Sequence, residues 1–181
     1  MPQTVHTIDM NMARAGLVAD SGMVQDTISR LAEDAAGAKA GTFVVPGTNP
    51  ETQAVAPTAT LEISSGVGLG VVMYDASKEP ATSGPALAAG NEYDATDMLP
   101  VVSKGRIWVL CDANAVIVPN TPAFVRHVAG PGEVLGAFRE DADAGDATAL
   151  PNAVFRSAGV DLNFQGDTER VALLEISQPT S

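Results

Sequence analysis

Positive charge is scarce in this chain. Ten Lys and Arg stand against 22 Asp and Glu over 181 residues, a formal net charge of −12. Affinity for a phosphate backbone comes largely from cations that displace condensed counterions, so this balance excludes a nucleic-acid binder, and anionic membrane surfaces are excluded on the same ground. Cysteine is limited to Cys111, which excludes an intrachain disulfide and fits a reducing compartment. Its thiol reads as a buried small group closing a strand, because nothing beside it in sequence supplies a base. Aromatics make up 4% of the chain, so the stacking platforms of a carbohydrate site are few. No apolar run approaches the roughly 18–20 residues of a spanning helix. The first six residues, Met1 to His6, carry neither a basic leader nor an apolar segment, so no secretory signal is expected and the protein is expected to be made in the cytosol.

Motifs that carry chemistry are also missing. There is no Gly-x-Ser-x-Gly elbow, no HExxH and no phosphate-binding loop. The Gly66-Val67-Gly68-Leu69-Gly70 run has the glycines of a dinucleotide fingerprint, but Val71-Val72-Met73-Tyr74 follows as a strand pattern and offers no helix N-terminus to a pyrophosphate. Closely spaced carboxylates from Glu140 to Asp146 suit a hard cation. Counted from Asp141, however, the sixth and twelfth positions hold Asp146 and Asn152 where a calcium loop needs Gly and Glu. A solvated acidic turn is the expectation. His6 and His127 stand alone, and neither a metal site nor a cofactor nor a catalytic residue is expected.

What is present is a set of short apolar runs between turn residues, with 17 Gly and 12 Pro. Residues 1–22 show no periodicity and read as an extended arm. In residues 23–36 Val24, Ile28, Leu31 and Ala35 fall at helical spacing, although the β-branched Val24, Thr27 and Ile28 also suit a strand. From Gly41 on, strands are expected at 42–45, 59–63, 67–74, 98–103, 106–111, 123–128, 134–139, 153–156 and 170–176, with Lys104-Gly105 as a tight hairpin turn. Residues 75–94 form a long insertion or contact loop. The fold class is therefore mainly β: a β-sandwich or barrel body over 41–177, preceded by an arm and at most one short helix over 1–40, and followed by a tail at 178–181. Trp108 is core by default. With Arg106 beside it, it would anchor an oligomer interface, where Trp and Arg are over-represented.

From Tyr93 to Val109, the stretch Tyr93-Asp94-Ala95-Thr96-Asp97-Met98-Leu99-Pro100-Val101-Val102 leading to Lys104-Gly105-Arg106-Ile107-Trp108 resembles a family of tailed-bacteriophage capsid cement proteins. The resemblance continues in order through Thr121-Pro122-Ala123-Phe124-Val125-Arg126, Gly136-Ala137-Phe138-Arg139, Ala153-Val154-Phe155 and Val171 to Ile176. Upstream it takes in Gly16-Leu17-Val18-Ala19-Asp20, Ile28-Ser29-Arg30 and Phe43-Val44-Val45, and it departs at residues 78–90 and at the arm through Met12. The resemblance implies a non-enzymatic virion protein that binds the capsid exterior, bridges neighbouring major capsid protein subunits and associates with copies of itself, a trimer being one such form. Leu17, Val18, Asp20, Arg30, Arg106 and Trp108 are the expected capsid or subunit contacts. The competing readings are a glycan- or host-surface-binding β-module and a hydrolase built on Glu92, Asp94 and Asp97.

Overall fold

The computed structural model describes residues 14–19, 25–33, 38–66, 68–75, 92–164 and 167–177. Within them the chain forms β1 (Asp26–Ala32), β2 (Ala38–Lys39), β3 (Phe43–Pro46), β4 (Gln53–Val55), α1 (Thr60–Ser64), β5 (Gly70–Val72), β6 (Glu92–Tyr93), β7 (Met98–Cys111), β8 (Pro122–Arg126), β9 (Phe138–Arg139), β10 (Ala147–Phe155), β11 (Val160–Phe164) and β12 (Asp167–Ile176). The protein is mainly β, as its sequence pattern implies. Ten strands form one sheet in the order β1-β4-β3-β5-β7-β9-β8-β10-β12-β11, and β2 pairs with β6 as a separate ribbon.

The pairings close on themselves twice, because β7 also pairs with β1 and with β12. One ring runs β1-β4-β3-β5-β7 and the other β7-β9-β8-β10-β12, so the body is barrel-like and β7 belongs to both rings. Its first half, through Lys104, pairs with β1, and its second half, from Gly105, pairs with β12. The expected hairpin at Lys104-Gly105 is thus a correction: the strand is continuous over 14 residues. A bulge lies there instead, since Asp26 is opposite Lys104 while Thr27 is opposite Val102, which leaves one extra residue on β7. Gly105 accommodates the distortion at φ 131°, a conformation that side-chain-bearing residues avoid.

The bulge has a packing consequence, because a shift of one residue turns every following side chain to the other face. Before it, Leu99 and Val101 point into the first ring with Val44, Ala54 and Val72. After it, Ile107, Val109 and Cys111 point into the second ring with Val125, Phe138, Phe155 and Leu174. Phe43, Val45, Val71 and Val102, on the back of the first ring, join that second core, so β3 and β5 are buried on both faces. Phe43 meets Phe138 edge to face, ring centroids 6.4 Å apart.

Further expectations are corrected. The helical spacing in 23–36 gives way to a strand, β1, held on one side by β7 and on the other by β4; tertiary pairing exploits the β-branched Thr27 and Ile28. Residues 59–63, expected as a strand, overlap the helix α1. Glu62 accepts hydrogen bonds from the backbone N–H of Thr58 (2.7 Å) and Ala59 (3.0 Å), which anchors the helical turn. The run 134–139 keeps only β9 as strand. Of the expected loose arm, residues 14–19 are tied down: Gly16 N–H donates to Trp108 O at 2.7 Å, Trp108 N–H to Leu17 O at 2.8 Å, and Ala19 N–H to Arg106 O at 3.0 Å. Residues 1–13 and 20–24 of that region, 76–91 of the long loop, and the tail at 178–181 lie outside the described residues.

Candidate interaction surface

Four of the six expected contact residues come together along the second half of β7, where Val18 packs against the core of the second ring. Val18 bridges to Ile107, so Leu17 and Val18 run beside Arg106 and Trp108 as a short extra strand. Trp108 is half-buried there, packed with Leu110 against Ala15, Leu162 and Val171. Arg106 does not stack on the indole; its Nε donates to Glu175 Oε2 at 2.7 Å. Arg156 holds the other oxygen of Glu175 at 3.1 Å and reaches Asn120 Oδ1 at 2.9 Å. The hydrogen bond from Arg156, followed by that from Arg106, keeps the Glu175 carboxyl below the usual carboxylate range. A ring does carry a cation nearby: the Arg14 guanidinium sits 4.4 Å from the Tyr74 centroid.

Arg30 is elsewhere, on β1 opposite Leu99, and Asp20 lies outside the described residues. Arg30 Nη1 donates to Ser29 O at 3.0 Å, while its shielded Nε has no acceptor among the described residues. Beside it Leu31 pairs in register with Met98, and both side chains are exposed, Met98 by 64%. Beyond the opposite end of β7, the connection to β8 exposes Val116 by 66% and Val118 by 50%.

Sequence reasoning missed the ion-pair network on β8. Arg126 is fully buried, with Nε donating to Asp112 Oδ2 at 2.9 Å, Nη2 lying 2.5 Å from Asp143 Oδ2 and Nη1 2.9 Å from Glu133 Oε2. Arg139 adds contacts to Asp143 (2.6 Å), Asp141 (2.8 Å) and Asp112 (3.2 Å). Burial works against the charge of Arg126, but its hydrogen bonds to Asp112 and Asp143 outweigh that cost and hold it ionised. The acidic turn is therefore not simply solvated: Asp141 and Asp143 are counterions for two arginines. The available signal was an arginine inside an apolar strand, which needs acids brought to it by the fold.

The remaining candidates have structural partners. Glu92 pairs with Lys39 at 2.7 Å, and Asp97 accepts the Asp94 N–H at 2.9 Å. Tyr93 is buried and donates to Met73 O. His127 is buried beside Thr60, 3.3 Å from its hydroxyl. Cys111 is buried, and burial, reinforced by Asp112, pushes its thiol up to about 12, so it is no nucleophile at neutral pH. Among the described residues no group of three or more His, Cys, Asp or Glu could hold a metal ion. A cavity of about 410 Å³ opens near the first ring, walled largely by Ala32, Ala38, Ala54 and Leu135.

No curated protein sequence matches the chain. Among solved structures, a chain of the capsid of Myoviridae phage XM1 superimposes with a TM-score of 0.59 at 15% identity, covering 88% of each chain, which establishes a common fold. The family model described as structural cement protein (E217 gp24/Pam3 gp6) matches residues 1–177. The chain belongs to this phage cement family, and it is accordingly a structural, capsid-stabilising protein of the virion and not an enzyme.

Proposed function

We propose that this protein binds the outer surface of an assembled phage head and bridges neighbouring major capsid protein subunits as a homo-oligomer. The observation that carries the reading is the position of exposed large apolar side chains at both ends of the shared strand β7: Leu31 and Met98 at its start, Val116 and Val118 just past its end. Fourteen strand residues span roughly 45 Å. A strand hydrogen-bonded on both sides is a stiff spacer, and apolar side chains exposed at its two ends suit two docking points on separate subunits. Arg30 stands at the first end, where an acceptor on the shell would satisfy its Nε. Leu17, Val18, Arg106 and Trp108 provide a third contact, with the shell or between copies; Asp20 belongs with them by its place in the sequence. Charge supports an exterior position, because a chain of net charge −12 is repelled by packaged DNA.

The test is co-sedimentation with shells that lack the protein. Met98→Glu and Val116→Glu should each weaken binding, and the double variant should abolish it while its circular dichroism stays native. The arm over residues 1–22 and the 75–94 loop are further proposed contacts, so removal of 1–13 or 78–90, which spares the β7 pairing of residues 14–19, should also weaken binding. Unchanged binding by the double variant would overturn the two-ended arrangement.

A further inference from the structure

Ring closure gives nine strands of the ten-stranded sheet at least two hydrogen-bonded strand neighbours among the described residues. The exception is β11. It pairs with β12, from Val160 opposite Val171 to Phe164 opposite Asp167, and with no other described strand. Closure removes edges, whereas an open edge presents unpaired backbone groups to any strand that reaches it. The usual blunting devices are weak here. β11 contains no proline, its register runs without a bulge, and its one charged residue, Asp161, is held by Arg170 Nη1 at 2.9 Å. The apolar outer face of the second ring also runs up to this edge: Leu162 packs with Val171, Trp108 and Leu110, and Val160, two residues away on the same face, is 44% exposed.

We propose that β11 is the self-association edge of the protein, pairing antiparallel with β11 of a second copy about a two-fold axis at Leu162. The residue pattern selects this occupant. With the axis at the middle of the strand all five residues pair: Val160 opposes Phe164, Asp161 opposes Asn163, and Leu162 opposes itself. No carboxylate meets its own copy. An axis one residue earlier sets Asp161 against Asp161, a destabilising like-charge pair. The paired edges join the two outer faces into one apolar surface that covers Val160. Two chains of net charge −12 repel one another, so association in solution is weak and rises with salt, while a lattice that holds copies close raises their effective concentration.

The inference deepens the homo-oligomer in the proposed function, and its test needs no shells. Hydrogen exchange of the wild-type protein across a dilution series should show protection of residues 160–164 that grows with concentration. Val160→Lys should raise the dissociation constant by about tenfold or more, as a lysine on an edge does. In the Asp161→Cys/Asn163→Cys variant, mild oxidation should give a covalent dimer, with far less from either single variant and with Cys111 too buried to compete. A monomer at every concentration overturns the proposal, as does full protection of β11 at high dilution, which would mean that the chain covers its own edge. Equal cross-linking by Asp161→Cys alone overturns the register. Shell binding retained without self-pairing would sink this inference and leave the proposed head-binding role; self-pairing without shell binding would do the reverse.

Discussion

Arg126 is the residue on which the second ring depends most. A guanidinium with no exposure is tolerable only with acids around it, and Asp112, Asp143 and Glu133 arrive from three different connections. Removing the cation leaves Asp112 buried without its main partner, so Arg126→Ala is expected to cost about 3–5 kcal/mol, read as a lower denaturant midpoint. A cost under about 1 kcal/mol would mean that the site relaxes around water. The Glu175 cluster makes a pH-dependent contribution of known sign. A carboxyl whose folded value is lowered supplies stability that is full above its unfolded value of 4.5 and is lost as pH falls below it toward the lowered folded value. The Arg106→Gln/Arg156→Gln variant should therefore be less stable at neutral pH, and its denaturant midpoint should fall less than that of the wild type on acidification from about pH 6 to about pH 3. Parallel loss in both proteins would assign the acid sensitivity to other carboxylates.

At the scale of the element, the sequence was legible wherever apolar periodicity and pairing agree. Phe43-Val44-Val45, Ala123 to Arg126 and Val171 to Ile176 read as strands and are strands, and the three consecutive apolar residues of β3 correctly signal burial on both faces. Period alone failed where two structures share it. Ala59, Leu61 and Ile63 alternate with polar residues as a strand face would, yet Leu61 is exposed and Ile63 buried, a split that the single turn of α1 allows and one strand face does not; the reach of Glu62 to the backbone anchors that turn. Ile28 and Leu31 fall at helical spacing, yet two pairing partners impose the extended form on β1; Ala35, which continued that spacing, lies outside the described residues. Arg106 and Trp108 stand out in the sequence by residue type, but their arrangement does not, since the indole is half-buried and Arg106 pairs with Glu175; nor do the acids around Arg126, because Asp112 and Glu133 meet it only through the fold. The Lys104-Gly105 error is the most consequential, because a bulge and a turn use the same residues and differ only in whether the chain reverses. Amide exchange separates them: a peptide spanning residues 101–110 should fall in the slowest class of the molecule, alongside the facing part of β12. Fast exchange centred on Gly105 would restore the hairpin.

For the whole molecule, sharing β7 between two rings means that neither ring is an independent unit. Phe43, Val45, Val71 and Val102 come from the first ring, yet they pack in one core with Ile107, Val109, Phe138 and Leu174 of the second. Opening either ring would uncover the apolar face of the other and leave one side of β7 without partners, so local opening costs nearly as much as global unfolding. The proposed bridging role would gain from this, since load applied at one end of β7 reaches both cores. The consequence can be measured with Trp108, the only tryptophan of the chain, which sits on the second ring. Val101 and Val109 are both fully buried, one facing each ring interior, and truncating either to alanine should cost about 2–3 kcal/mol. For Val101→Ala the Trp108 fluorescence transition should shift as far as the far-ultraviolet dichroism transition, and the two should coincide as they do in the wild type. If the dichroism shifts while Trp108 reports an unchanged midpoint, the first ring unfolds by itself and the shared strand does not couple the two.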